Sequence, residues 1–285
     1  MTEERIEMPE KAEPDAGVFR LEDGGQSIFP SALASGPWNP AHQHGGPVSG
    51  LLTRALDEME APGPMRLTRV TVEMFRGVPL TPLRMETRTV RAGRRIQSVE
   101  ANLFDGEKQV ARATGLRVRR ADSLTEMETP MPIDPEFGPP PEGAPPMPFS
   151  KSVSKSVPVI PGFIRAVDIH VRPPETSGES AFVWTRLRCR LVEGEVASPT
   201  VRLASIADFA SGTGNVMDYE RYTSINPDLT LHILREPRTE WLGIRGITLR
   251  AEDGIGQSLA TIFDEEGPVA HAQASLLLDR RPDAG

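Results

Sequence analysis

Cysteine is all but missing: Cys189 is the single one in 285 residues. No disulfide can form within the chain, which points to a reducing compartment and a cytoplasmic location. Cys189 alternates with Arg in "WTRLRCRLV" as a strand residue would, and the expected reading is a buried thiol rather than a nucleophile. Long apolar runs are lacking too. With no stretch of 18 apolar residues, no membrane span or membrane partner is expected. The first residues, "MTEERIEMPEKAEPDAG", are acidic and carry no apolar core, so no secretory signal is expected. Basic residues are in deficit, 32 Lys and Arg against 40 Asp and Glu, for a net charge of −8. That excludes general nucleic-acid binding, which wants a basic surface, but leaves room for a local Arg cluster facing an anion. No GxGxxG follows a strand, and neither a P-loop nor a GxSxG elbow occurs. Nucleotide-dependent chemistry and the serine-hydrolase route therefore have no local support.

Proline is concentrated in one place. Residues 121–162, "ADSLTEMETPMPIDPEFGPPPEGAPPMPFSKSVSKSVPVIPG", cannot continue a helix or a central strand. They read as an extended linker between a first unit over 17–120 and a second over 163–282. The two units repeat one another. An offset of 159 aligns 67–119 with 226–278 without a gap and gives 14 identities over 53 positions, among them Thr71/Thr230, Arg76/Arg235 and Asp105/Asp264. Chance would supply roughly three. In each copy one helical segment precedes a set of alternating strands. "GGPVSGLLTRALDEM" carries Val48, Leu51, Leu52, Ala55, Leu56 and Met59 at helical spacing. "RLTRVTVEMFR" places Val70, Val72 and Met74 on one face, and "DGEK" makes a turn between two later strands. A helix followed by an antiparallel meander, twice over, predicts an α+β fold of two tandem units packed as a pseudo-dimer.

The second helical segment, "RLASIADFASGTGN" (202–215), sets one carboxylate, Asp208, among apolar and small residues. Such an acid caps the helix, points outward, or is held in a site. Its surroundings bear on that choice. "HGGPVSGLLTRAL", "VTVEMFRGVPLTPL", "GRRIQSVEANLFDGEKQVARATG", "LASIADF", "INPDLTLHILREP" and "AHAQASLL", in that order, resemble the type II (TesB-like) acyl-CoA thioesterases and their thioesterase-like relatives. The resemblance spans nearly the whole chain outside the Pro-rich stretch and implies a double hotdog fold. It implies hydrolysis of an acyl-CoA thioester without metal or redox cofactor. It also implies a water held by an Asp on the second helix, a Gln on the last strand and a Thr ahead of a mid-half strand. Carried over, these fall on Asp208, Gln273 and Asn226; the last replaces the family Thr, with Ser224 as a neighbouring hydroxyl. Where the family helix begins Phe-Gly-Gly-Gln, this chain has His44-Gly45-Gly46-Pro47, which leaves His44, Gly45 and Gly46 as substrate-lining residues.

Thioester hydrolysis needs an activated water and donors for the developing oxyanion. Desolvation in a small-residue pocket is expected to raise the pKa of Asp208 and suit it as a general base. Gln273 can orient water without carrying charge, and the backbone N–H groups of Gly45 and Gly46 open a helix. Blander readings stand beside these: Gln273 facing solvent, Asn226 as a turn former before Pro227, and a weak His42/His44 metal pair. The clusters "RAGRR" (91–95) and "RVRR" (117–120) either meet coenzyme A phosphates or form a solvated face. Met74 and Met85 line an acyl tunnel or belong to the core. Two other functions stay open: an acyl-CoA-binding protein of weak activity, and an enoyl-CoA hydratase, which wants an Asp–His pair that the sequence around Asp208 does not supply. The edges of each sheet leave room for further pairing into a homo-oligomer.

Overall fold

The computed structural model describes residues 11–121, 162–172, 181–213 and 221–281. Nearly all of the expected linker therefore lies outside the described residues. Each half opens with two strands, β1 (Gly17–Glu22) and β2 (Ser27–Pro30) in the first, β7 (Val167–Arg172) and β8 (Ala181–Leu187) in the second. A helix follows, α1 (Gly45–Glu58) or α3 (Pro199–Ala207); a short turn of helix, α2 (Gly162–Arg165), precedes β7. Four long strands complete each unit: β3 (Met65–Met74), β4 (Leu83–Arg91), β5 (Ile96–Asp105) and β6 (Lys108–Arg119), then β11 (Asp228–Ile233), β12 (Leu242–Arg250), β13 (Ile255–Asp264) and β14 (Gly267–Arg280). The last three strands of the two sets begin 159 residues apart, the spacing of the repeat.

All strands belong to one sheet of 14, in the order β7-β8-β12-β13-β14-β11-β3-β6-β5-β4-β2-β1-β9, with β10 (Tyr222–Ile225) beside β14 and β9 (Arg190–Val192) at the far edge. The two halves meet where β11 pairs β3 antiparallel, with Thr230 opposite Thr71. These are repeat equivalents, and their hydroxyls hydrogen-bond at 3.2 Å. The pseudo-twofold axis therefore passes between them. Two details differ from the expected meander. The strand after each helix returns beside the last strand of its unit, β3 on β6 and β11 on β14. The pairs β1–β2 and β7–β8 extend the sheet by two strands in each half, through β2 on β4 and β8 on β12. In addition, β9 crosses from the second half to pair β1 in parallel, which covers that edge.

Alternation puts Val70 and Val72 of β3 and Ala270, Ala272, Ala274 and Leu276 of β14 on the inner face, where the sheet wraps α1 and α3. Met85 is buried in the same core, whereas Met74 is partly buried against it. The helices run antiparallel and touch along glycines: a Cβ on Gly46 or Gly50 would collide with the Ser205 carbonyl oxygen or hydroxyl. Pro199 opens α3 beneath its Ser198 cap. At the other end of the pair, buried Arg117 donates to the carbonyls of Leu56, Asp57 and Met59, the last two at 2.8 and 2.7 Å. A cation there complements the negative end of α1.

Cys189 lies at a bend between β8 and β9, not inside a strand. It is buried, and burial pushes the thiol up to about 11. We expect no reaction with a disulfide reagent at pH 8 in the native protein and one equivalent after denaturation; a full equivalent from the native protein would contradict the buried placement.

Candidate active site

The helix α3 ends at Ala207 and tightens into a 3-10 turn over Asp208–Ser211. Asp208 thus sits at the negative end of α3, where an acid is locally unfavourable. It is also 5% exposed. What offsets both penalties is the start of α1, laid against it by the antiparallel packing. His44 occupies the N-cap position of α1, and its Nδ1 lies 2.9 Å from Asp208 Oδ2. Asn226, in the link between β10 and β11, donates its Nδ2 to Asp208 Oδ1 at 2.7 Å. The first helical residue, Gly45, is so close that a Cβ there would lie 2.6 Å from Oδ1 and 2.8 Å from both Cγ and Oδ2. The site therefore needs a glycine at that point for space, not for backbone conformation. Phe163 and Phe209 flank the His44 ring, each with its centroid 5.1 Å away.

Burial alone would raise the Asp208 pKa, as expected from the sequence. The hydrogen bond and charge of His44, the Asn226 amide and the Gly46 N–H outweigh it and hold the carboxyl below its ordinary value. The expected upward shift is corrected on that ground: the carboxylate is desolvated but surrounded by donors. The donor count also fixes a proton. The Gly46 N–H lies 3.0 Å from His44 Nδ1 and also bonds the carboxylate. Nδ1 cannot accept from Gly46 while facing an ionised oxygen at 2.9 Å. We assign the proton to Nδ1, donating to Asp208, with the Gly46 N–H serving the carboxylate. His44 Nε2 then carries the lone pair; the ring's polar contacts with described residues run through Nδ1.

The structure thus brings together Asp208, Asn226, His44, Gly45 and Gly46 from both halves. It does not bring Gln273 to them. On β14 the neighbours Ala272 and Ala274 face inward and Gln273 is exposed. Gln273 is paired with Thr230 beside the seam between the halves. Ser224 is buried in β10. His42 packs its ring against Gly77 and bridges Pro79, away from any pairing with His44. The Asp–His partnership was missed in the sequence because its members are 164 positions apart and carry no local spacing. The one available cue is a His at the start of one helix and an out-of-place acid at the end of the other.

The pseudo-twofold axis implies a matching site at the opposite ends of the helices, and that end is built differently. The cap there is Ser198, whose hydroxyl donates to Asp57 at 3.0 Å. Arg54 lines the adjoining cavity, gripping Glu195 through two bonds of 2.7 and 2.8 Å and Glu58 at 2.9 Å. A serine stands there in place of the imidazole, beside an ion-paired arginine.

Comparison with known proteins agrees with this architecture. Residues 34–118 match the N-terminal domain of the acyl-CoA thioesterases and residues 141–278 their C-terminal domain, together more than three quarters of the chain. No curated protein matches significantly. Among solved structures, a hot dog fold protein from Alicyclobacillus acidocaldarius superposes with a TM-score of 0.65 at 15% identity, covering 93% of this chain and 97% of that one. Acyl-CoA thioesterase II TesB2 from Mycobacterium marinum gives 0.64 at 15% identity, covering 94% and 96%. The tesB protein of Mycobacterium avium subsp. paratuberculosis gives 0.63 at 15%, covering 90% and 95%. At such identities these likenesses speak for the fold. No helix among the described residues is long and apolar enough to cross a membrane. With both domain matches in order along one double hotdog, this chain belongs to the acyl-CoA thioesterase family of thioester hydrolases.

Proposed function

We propose that this chain hydrolyses acyl-CoA thioesters to the free acid and CoA at the His44–Asp208 pair, in the reducing cytoplasm and within fatty-acid metabolism. The 2.9 Å contact between Nδ1 and the buried carboxylate carries the reading. His44 Nε2 takes a proton from a water whose oxygen attacks the thioester carbonyl carbon. Asp208 stays ionised and stabilises the imidazolium, which its depressed pKa suits it to do. The N–H of Gly45, at the positive end of α1, faces the developing oxyanion. Asn226 has a second amide hydrogen beyond the one it gives Asp208 and can hold the water in the place of the family Thr. The C–S bond then breaks, and the imidazolium proton passes to the departing thiolate. Gln273 takes no part in this scheme, since its side chain faces outward.

A panel of short to long acyl-CoA thioesters, followed by CoA release, tests the reading. Release from at least one member with a kcat of about 1 s⁻¹ or more is expected. Tight acyl-CoA binding with no release would favour the non-catalytic acyl-CoA-binding reading. Loss of enoyl absorbance from an added enoyl-CoA without CoA release would favour the hydratase.

A further inference from the structure

The catalytic cluster has a basic, aromatic neighbour that hydrolysis of the thioester does not use. Asn226 is the residue after β10, and four residues back along that strand, about 13 Å at the rise of a strand, stands Tyr222. Its ring is approached by the guanidinium of Arg221 at 5.9 Å and that of Arg280 at 6.0 Å, Arg280 being its partner across the β10–β14 ladder. On the same edge the Arg281 N–H bonds the Arg221 carbonyl. The Arg281 guanidinium lies 5.8 Å from the ring of Trp38, six residues before His44. Two routes, one along β10 and one along the segment leading into α1, therefore run from the catalytic pair to one patch of three arginines and two aromatic rings.

This patch stands out in a chain of net charge −8. Arg221 and Arg280 are exposed and make no ion pair with a described residue. Asp279, a described acid on the patch, accepts the Arg280 backbone N–H through Oδ1 at 2.7 Å and pairs with neither guanidinium. The other arginine-rich stretches are placed differently. Arg95 and Arg119 join at the C-terminal end of α1, where Arg120 also meets Pro64. That is a full helix length, about 20 Å, from His44 at the other end.

Resting on the thioesterase reading, we infer that Arg221, Arg280 and Arg281, with Tyr222 and Trp38, bind the phosphorylated adenosine end of CoA. Guanidinium groups pair phosphate oxygens through two bonds each, and an aromatic face offers a stacking surface to a purine. The inference selects a CoA thioester over one carried on a protein, whose phosphopantetheine has no adenosine.

The test compares one acyl group on CoA and on pantetheine, in the wild type and in Arg221→Glu/Arg280→Glu. The ratio of KM for the CoA ester to KM for the pantetheine ester should rise at least tenfold in the variant. Adenosine 3′,5′-bisphosphate should inhibit the wild type competitively and the variant at least tenfold more weakly. An unchanged ratio, or equal inhibition of both proteins, overturns the inference. If the wild type cleaves neither ester, the catalytic reading fails by itself. Calorimetric binding of CoA to the wild type, lost in the variant, would then still support this site; equal binding by both proteins, or none by either, would overturn it.

Discussion

Asp208→Asn should lower turnover on the order of a hundredfold or more while the protein stays folded. The change is nearly isosteric, so the packing against Gly45 that leaves no room for a Cβ is kept. What changes is the charge and the proton inventory. An amide can offer an N–H where the carboxylate only accepts, and His44 Nδ1 would then have to accept, moving its proton to Nε2. A water facing a protonated Nε2 loses its base, and the imidazolium loses its counter-charge. The pH dependence should also show which group is which. Because the Asp208 pKa is held below its ordinary value, the carboxylate stays ionised through the mildly acidic range. Its favourable interactions stabilise the fold above the unfolded-state value near 4 and fade only as pH falls through the lower folded value. Turnover of the variant within tenfold of wild type, with unchanged melting temperature, would remove Asp208 from the mechanism.

The largest loss of stability is expected at Asp264. Its side chain is fully buried and accepts from Arg235 through both oxygens, one bond measuring 2.6 Å, and from the backbone N–H groups of Arg238 and Glu266 at 2.9 Å each. Asp264→Ala would leave a guanidinium that is itself only 15% exposed without a counter-charge, a change that costs about 3–5 kcal/mol. Asp105 is the identical residue of the first copy. There its carboxylate takes only the Thr81 hydroxyl, at 3.3 Å, and Arg76 makes no ion pair with it among the described residues. Asp105→Ala should therefore change stability by no more than about 0.5 kcal/mol. Urea unfolding of both variants measures the contrast, and equal losses would contradict it. Burial works to raise the Asp264 pKa, but its donors win and lower it. The extra stability of Asp264 is thus present above about pH 4 and disappears as pH falls through the folded value.

The same pair of aspartates shows what a repeat can and cannot tell. Identity at a fixed offset located β4, β5 and β6 on β12, β13 and β14, because strand register is a local property of the pattern. It could not say that Arg235 and Asp264 form a buried ion pair while Arg76 and Asp105 form none among the described residues, since that depends on which strands and turns close over them. Asp208 was visible as an acid in a setting of small apolar residues, a local rule broken at the site proposed to activate water. His44 was visible only as a helix start: its partner comes from the other half and meets it through glycine-mediated packing of α1 on α3. Gln273 illustrates the opposite case. In "AHAQASLLL" the alanines are the inward positions, leaving room for the turn that carries Asp208, so the polar residues between them alternate to the outside. Small residues on both sides of a polar one give no apolar contrast from which to read the phase. The pKa direction was hidden for a related reason, as desolvation can be guessed from composition but the donors that counter it come from distant segments.

The central claim is that residues from the two halves act as one unit, and a double-mutant cycle tests it most directly. The four proteins are wild type, His44→Gln, Asp208→Asn and the combination, compared by kcat/KM on the best acyl-CoA ester. If Asp208 acts through the imidazole, the double variant should be about as impaired as the worse single one, because a unit already broken loses little more. Losses that multiply would mean that the two side chains contribute independently, and the pair at 2.9 Å would be a structural contact rather than the catalytic one.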